Sequence, residues 1–179
     1  MRFETVDDIF SGHERTRIAL LQTLADVSAD EAAVIVSDEK WSINHITEHL
    51  AMVDVGIARI CRRLVSDAKR AGKFSSGPLA VSPRFWQLTE SINEAKVEAP
   101  EQVQPTGKMG VAEAIEMLQN NRPAFEAIRD DLQVLDLSEP KFPHPYFGDI
   151  TATEWLIVCV GHEARHTRQI HRILKRIRQ

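Results

Sequence analysis

Apolar residues recur every three or four positions along four long stretches of the chain, which is the spacing of one face of an α-helix. The stretches cover, approximately, residues 5–27, 42–71, 111–135 and 151–177. No stretch alternates convincingly between apolar and polar residues, as a half-buried strand would. The pattern therefore predicts an all-α protein without a sheet.

Capping residues and helix breakers support these boundaries. Ser42 is a suitable N-cap for the second helix, and Gly72 is a suitable residue to end it. Ser28, with Glu31 three positions later, has the spacing of a capping box and predicts a short helical turn between the first two helices. Pro123 lies inside the third apolar stretch, where it predicts a kink in a continuous helix.

The segment from 73 to 110 is rich in proline and glycine and holds one predicted short helix, between Pro83 and Ala95. A connection of this length between two helices usually carries function or crosses a bundle. We therefore expect residues 1–179 to form one domain, a four-helix bundle with a long crossover between helices 2 and 3.

Composition and charge restrict the functional classes. Of the 179 residues 43% are hydrophobic, and the net charge of −4 argues against a nucleic-acid-binding protein. The N-terminal sequence lacks an apolar signal core and no run approaches 18 apolar residues, so we expect no membrane association. Cys61 and Cys159 do not make a disulfide framework, which favours the reducing cytoplasm. We interpret Cys159 as a small core residue.

The last apolar stretch contains His162, Glu163 and His166 in the HExxH spacing of zinc peptidases. Residues four apart on a helix are separated by about 40°, so both imidazoles can reach one ion. Peptidases of this type usually take their third ligand from downstream, but only 13 residues follow His166. His171 lies five positions later and points to another side of the helix. A third ligand must therefore come from upstream.

His49 is the candidate third ligand. It lies on the apolar stripe of the second helix, and His162 and His166 lie on the apolar stripe of the last helix. Three imidazoles that converge in a core cost desolvation free energy unless they are hydrogen-bonded or hold a metal ion. An ion held by histidines alone, with coordination positions left open, is typical of a catalytic site.

Three segments together resemble the DinB/YfiT-like superfamily of four-helix-bundle metalloproteins: WSINHITEHL from Trp41, HPYFGDITATEW from His144, and HEARHTRQI from His162. In that family a tryptophan opens the second helix and a histidine eight positions later binds metal, here His49. The last helix carries HxxxHxxQI. The resemblance implies a divalent ion, commonly zinc or nickel, on His49, His162 and His166. It also implies a homodimer and, in some members, thiol-dependent transferase activity with bacillithiol or mycothiol.

Five further residues are candidates for the site. Glu163 is a candidate general base, with an exposed helix glutamate as the alternative. His45 is a candidate partner of a metal ligand. His13 and His144 are candidates to line a cofactor pocket, and Arg122 to bind the carboxylate of a thiol cofactor or of an acidic substrate. The alternatives are that His144 stabilises its loop and that Arg122 extends to the surface.

The leading hypothesis is a metal-dependent enzyme that transfers a low-molecular-weight thiol to an electrophilic small molecule. The first alternative is a hydrolase that uses metal-bound hydroxide, assisted by Glu163 or His45. The second is a non-catalytic stress protein that binds metal or a small ligand. A peptidase comes last, because it lacks the downstream ligand and a strand to align a peptide.

Overall fold

A computed structural model of the chain describes residues 2–75, 77, 79, 81–94 and 98–179. The helices among these residues are α1 (Val6–Leu24), α2 (Ala29–Ala33), α3 (Ile43–Ala71), α4 (Pro83–Glu94), α5 (Val111–Glu126), α6 (Arg129–Val134) and α7 (Ala152–Ile177). A 3-10 turn, Glu101–Val103, lies between α4 and α5, and the strands β1 (Lys141–His144) and β2 (Gly148–Thr151) precede α7.

The helix ends are set by the residues that satisfy their free backbone groups. Thr5, Ser28 and Thr151 each accept a hydrogen bond from the third helical residue, whose carboxylate accepts one from the cap in return. Ser42 caps α3, and Gly72 ends it with a φ of 65°, a left-handed conformation that favours glycine. The predicted bounds of α3 and the predicted short turn after Ser28 are confirmed.

The long helices α1, α3, α5 and α7 form the predicted four-helix bundle. Helix α3 packs against both α5 and α7, and α1 packs against α7. Apolar side chains from all four helices fill the interior, for example Leu20, Ile46, Leu118 and Ile170, which are almost completely buried. The predicted crossover joins α3 to α5 and carries α4, and the predicted end of that helix at Ala95 lies outside the described residues.

Two details of the predicted helices are wrong. The first helix ends at Leu24, three residues before the predicted end. The third apolar stretch forms two helices, because the regular α-helical hydrogen-bond pattern is interrupted at Ala127 and Ile128, where the N–H of Ile128 bonds to the carbonyl of Phe125. Pro123 is accommodated inside α5 although its nitrogen cannot donate a hydrogen bond. The interruption thus comes one turn after the proline, and not at it.

The expectation of a protein without a sheet is also wrong. Strands β1 and β2 pair antiparallel, with Lys141 opposite Thr151 and Phe142 opposite Ile150. Each strand of a two-stranded hairpin has a free edge, so Pro143 can lie in β1 without interrupting a ladder. The last residue of β2, Thr151, is also the N-cap of α7.

No helix in the described part of the chain combines the length and the apolar character needed to cross a membrane.

Candidate metal centre

Three histidines converge where α3 and α7 pack against each other. His49 comes from α3, and His162 and His166 come from successive turns of α7. One potential ligand atom from each residue lies within 4.8 Å of the other two. The ring centroids are 4.5 Å apart for His162 and His166, 5.0 Å for His49 and His162, and 5.2 Å for His49 and His166. The structure thus brings the three predicted ligands together.

The hydrogen bond of His49 defines which of its nitrogens faces the cluster. Nδ1 lies 2.7 Å from the carbonyl oxygen of Val103. Because a carbonyl can only accept, Nδ1 carries the proton and Nε2 of the neutral ring carries a lone pair. That Nε2 lies 3.1 Å from Nε2 of His162. The crossover therefore holds His49 in the form that can ligate a metal ion.

Burial keeps the imidazoles neutral. His49 and His166 are only 3% and 8% exposed. Desolvation lowers the pKa of His49, and it lowers the pKa of His166 to about 3. Burial, reinforced by the neighbouring imidazoles, lowers the pKa of His162 well below its usual value. Trp41 packs beside the cluster, with its ring centroid 4.9 Å from that of His49 and 6.2 Å from that of His166. The rings are thus in the neutral form that metal binding requires.

The geometry and the donor set fit a divalent ion. Two imidazole nitrogens that each lie about 2.0–2.1 Å from one ion are roughly 2.9–3.4 Å apart in octahedral or tetrahedral geometry. The 3.1 Å between Nε2 of His49 and Nε2 of His162 falls in this interval. Three neutral imidazoles suit zinc and nickel, and also copper and iron, and they leave coordination positions for other ligands.

The segment of the crossover that contacts His49 is itself tied to α3. The carboxylate of Glu48 accepts hydrogen bonds from the backbone of Thr106 at 3.0 Å, from its hydroxyl at 2.9 Å, and from the backbone of Gly107 at 2.6 Å. Burial alone would raise the pKa of Glu48, but these bonds hold it below its usual value. Two neighbouring residues of α3 thus bind the crossover. Glu48 accepts hydrogen bonds from it, and His49 donates one to its Val103 carbonyl.

A second polar cluster includes Glu163 of α7 and residues of the three other long helices, and we call it the arginine network. Arg17 donates from Nε to Glu163 at 2.8 Å and from Nη2 to Asp54 at 2.8 Å. It also donates from Nη1 to the carbonyl of Leu118 at 3.1 Å. Asn121 donates to the second oxygen of Asp54 at 2.6 Å. The network thereby links all four helices of the bundle.

His13, Asp54 and Cys159 within this network also have the separations of a potential metal site. Arg17, however, brings its Nη2 within 2.8 Å of Asp54 and 3.4 Å of His13, so a cation already occupies this position. Burial would raise the pKa of Asp54, but the hydrogen bond of His13, the charge of Arg17 and Asn121 together lower it. Burial raises the pKa of the Cys159 thiol well above its usual value. The cluster is therefore an internal ion-pair network with an unreactive thiol.

Glu163 belongs to the arginine network and not to the histidine cluster. The alternative of an exposed helix glutamate is wrong, because the residue is only 3% exposed. Its carboxylate accepts from Arg17 and, at 2.9 Å, from the hydroxyl of Thr16. Both oxygens are engaged, so the predicted role as general base has no support in this geometry.

Each of three other candidates pairs with a residue outside the histidine cluster. Arg122 is 59% exposed and pairs with Glu14 at 2.9 Å, which corrects the expectation of an arginine in a cofactor pocket. His13 belongs to the arginine network. His45 exchanges a hydrogen bond of 2.8 Å with the hydroxyl of Ser42, and its ring lies beneath the crossover.

His144 closes the hairpin turn. Its Nδ1 accepts hydrogen bonds from the backbone of Tyr146 at 3.1 Å and of Phe147 at 3.3 Å. The ring lies 4.8 Å from that of Trp155, and burial lowers the pKa of His144 to about 4. These contacts agree with the alternative that His144 stabilises its loop.

Comparisons with known proteins agree with this architecture. The family model of the DinB superfamily matches residues 13–170. The chain is 26% identical to the uncharacterized protein YuaE of Bacillus subtilis (strain 168), over 79% of this chain and 82% of that protein. It is also similar to the crystal structure of TT2238, a four-helix bundle protein, with a TM-score of 0.59, 21% identity, and coverage of 93% of this chain and 98% of that one. This structural likeness concerns the fold alone.

Proposed function

The chain belongs to the DinB superfamily, and from this premise we propose that it is a metal-dependent enzyme that transfers a low-molecular-weight thiol to an electrophilic small molecule. The superfamily is metal-associated. The observation that carries the proposal is the convergence of His49, His162 and His166, all neutral, from two packed helices. Such a donor set can hold an ion and leaves coordination positions open to other ligands.

A divalent ion at this position would supply a Lewis acid that lowers the pKa of a thiol, so that it reacts as a thiolate at neutral pH. The protein holds the ligands in place before the ion arrives. Val103 orients His49 through its carbonyl, and the ring of Trp41 packs against that of His49. Preorganisation of this kind lowers the free-energy cost of binding.

The engagement of the two candidate bases favours thiol transfer over hydrolysis. A hydrolase of this type would use Glu163 or His45 to assist the attacking water. Glu163 is held by Arg17 and Thr16, and His45 is held by Ser42 beneath the crossover. A thiol whose pKa is already lowered needs no separate base, whereas ester or amide hydrolysis also needs a group that donates a proton to the leaving group. The expected homodimer, small-molecule substrate and cytoplasmic location stay predictions.

The test combines metal analysis with turnover. We would measure metal stoichiometry in protein purified without a metal-affinity tag, for wild type and for His49→Ala, His162→Ala and Glu163→Gln. Loss of either histidine leaves two imidazoles, so both variants should lose most of their metal. Glu163→Gln should keep its metal, because both oxygens of the Glu163 carboxylate are bonded to Arg17 and Thr16 and not to the three histidines.

Turnover would be followed with bacillithiol, mycothiol, glutathione and cysteine as thiols and a chromogenic electrophile as acceptor, beside ester and amide hydrolysis. We expect thiol transfer that depends on added zinc or nickel and disappears with either histidine. A His49→Ala protein that keeps its full metal content would overturn the site. Full metal occupancy with neither activity would favour the non-catalytic binding protein.

A further inference from the structure

A chain of two hydrogen bonds leads from His166 out of the histidine cluster. Nδ1 of His166 lies 2.8 Å from Oε1 of Gln169, one turn later on α7. Nε2 of Gln169 donates at 2.7 Å to Oε2 of Glu39, in the loop before α3. Three side chains from two separate parts of the sequence are thus connected in series, and we call this series the Glu39 relay.

The direction of every hydrogen bond in the relay follows from its outer end. The carboxylate of Glu39 can only accept, so the NH₂ group of Gln169 must face it. The carbonyl oxygen of the same amide then faces His166 and can only accept. His166 must therefore carry its proton on Nδ1, which leaves the lone pair on Nε2.

The loop that supplies Glu39 is fixed against α7. The side chain of Glu39 is only 19% exposed, with Arg172 of α7 at 4.0 Å from its other oxygen. Arg176, one turn further along α7, donates to the hydroxyl of Ser37 at 2.9 Å and pairs with Asp38 at 3.2 Å. Glu39, the acceptor at the outer end of the relay, therefore lies in a loop that is held by contacts with α7, the helix that carries His166.

We propose that Glu39 and Gln169 act as positioning residues, which hold His166 in its Nδ1–H form and present its Nε2 to the metal ion. The inference rests on the proposed metal site. His49 is oriented by a backbone carbonyl, which substitution cannot remove. His166 is oriented by side chains, so its orientation can be changed by mutation. Partners of this kind typically contribute 10–100-fold to metal affinity.

The test uses four variants: Gln169→Leu, Gln169→Glu, Glu39→Gln, and the double variant Gln169→Glu/Glu39→Gln. Two quantities would be measured on the full chain. Nitrogen-15 shifts of the imidazoles in metal-free protein report the tautomer of His166. Competition with a chromophoric chelator gives the dissociation constant for zinc.

We expect Gln169→Leu to lose the Nδ1–H form of His166 and to bind zinc about 10–100-fold more weakly. Gln169→Glu alone places two carboxylates against each other and should also weaken binding. In the double variant the introduced carboxylate accepts from His166 and from the introduced amide. It should therefore return to within about threefold of the wild-type affinity, since all donors and acceptors are paired again.

Gln119→Leu is the matched control, because Gln119 is exposed on α5, and it should change neither quantity. Unchanged tautomer and affinity in Gln169→Leu would overturn the relay, and so would a double variant that binds no better than Gln169→Glu. The tautomer is measured without metal. Failure of wild type to bind zinc would therefore overturn the proposed function, while the shifts still decide whether Glu39 orients His166.

Discussion

At the scale of single residues, Arg17 lies between two buried carboxylates and keeps both of them paired. Its guanidinium is 2.8 Å from Asp54 and 2.8 Å from Glu163. Removal of one partner from a buried ion pair leaves an uncompensated charge in a medium of low polarity. We expect Arg17→Met to lower the free energy of unfolding by about 3–5 kcal/mol, measured by urea denaturation.

Arg122→Met is the matched control for this prediction. Arg122 pairs with Glu14 at a similar distance, 2.9 Å, but both side chains are exposed to solvent. Exposed pairs typically contribute less than about 1 kcal/mol. Equal effects of the two substitutions would show that burial of the arginine network does not determine its contribution to stability.

The buried histidines predict how the stability of metal-free protein depends on pH. His49, His162 and His166 have pKa values below those of the unfolded chain, where histidine titrates near 6.5. Protonation therefore favours the unfolded state, and stability is present above pH 6.5 and is lost as the pH falls below it. Carboxylates with lowered pKa values, such as Asp54, add their own loss only at more acidic pH.

We expect the melting temperature in the presence of a chelator to fall continuously from pH 7 to pH 5. A His162→Asn variant lacks one of the titrating groups and should show a shallower decline over the same interval. Identical slopes for the two proteins would mean that His162 does not titrate differently in the folded and unfolded chain.

The sequence predicts where a single side chain lies when that residue is part of the apolar stripe of a helix. His49, His162 and His166 lie on apolar stripes, and their convergence could be predicted. Asp54 lies on a stripe as well, within the buried series Ile43, Ile46, Leu50, Asp54, Ile57, Cys61 and Leu64. A charged residue in such a series indicates that a residue of opposite charge is buried beside it. The partner, Arg17, comes from another helix, and periodicity alone does not identify it.

At the scale of elements, the crossover places the Val103 carbonyl against Nδ1 of His49. Its path depends on Gly107, which has a φ of 73°. A Cβ at this position would lie 2.3 Å from the ring of His45. We expect Gly107→Ala to lower the free energy of unfolding by about 2 kcal/mol, because it combines backbone strain with a steric clash. It should also weaken zinc binding, because Val103 would shift.

Gly110→Ala is the control, since a Cβ there meets no atom within 4 Å and the residue has a negative φ. Denaturation and zinc competition on both variants measure the two effects. A Gly107→Ala protein with wild-type stability and wild-type zinc affinity would show that the path of the crossover does not depend on Gly107.

The helix ends could be predicted where a side chain caps them, as at Ser42 and Thr151. The break after Glu126 could not, because residues 127 and 128 have no breaker of their own. The hairpin was missed for a related reason. Its strands have four residues each and one contains Pro143, so no alternating pattern is long enough to identify them.

At the scale of the whole molecule, the histidine cluster joins parts of the chain that are far apart in sequence. His49 and His162 are separated by 113 positions but are in contact. An ion held by both would connect α3 to α7 only in the folded bundle, because the unfolded chain does not hold the ligands together. Ligands that bind only the folded state stabilise it by mass action.

This linkage predicts the effect of metal removal on the complete protein. A metal concentration of one hundred times the dissociation constant should stabilise the fold by about 2.7 kcal/mol. A chelator should therefore lower the melting temperature of wild type and change that of His49→Ala much less, because the variant keeps only two imidazoles. The helical circular dichroism at room temperature should persist in both, since apolar residues of all four helices fill the interior. An equal response of the two proteins to the chelator would mean that His49 contributes nothing to metal binding.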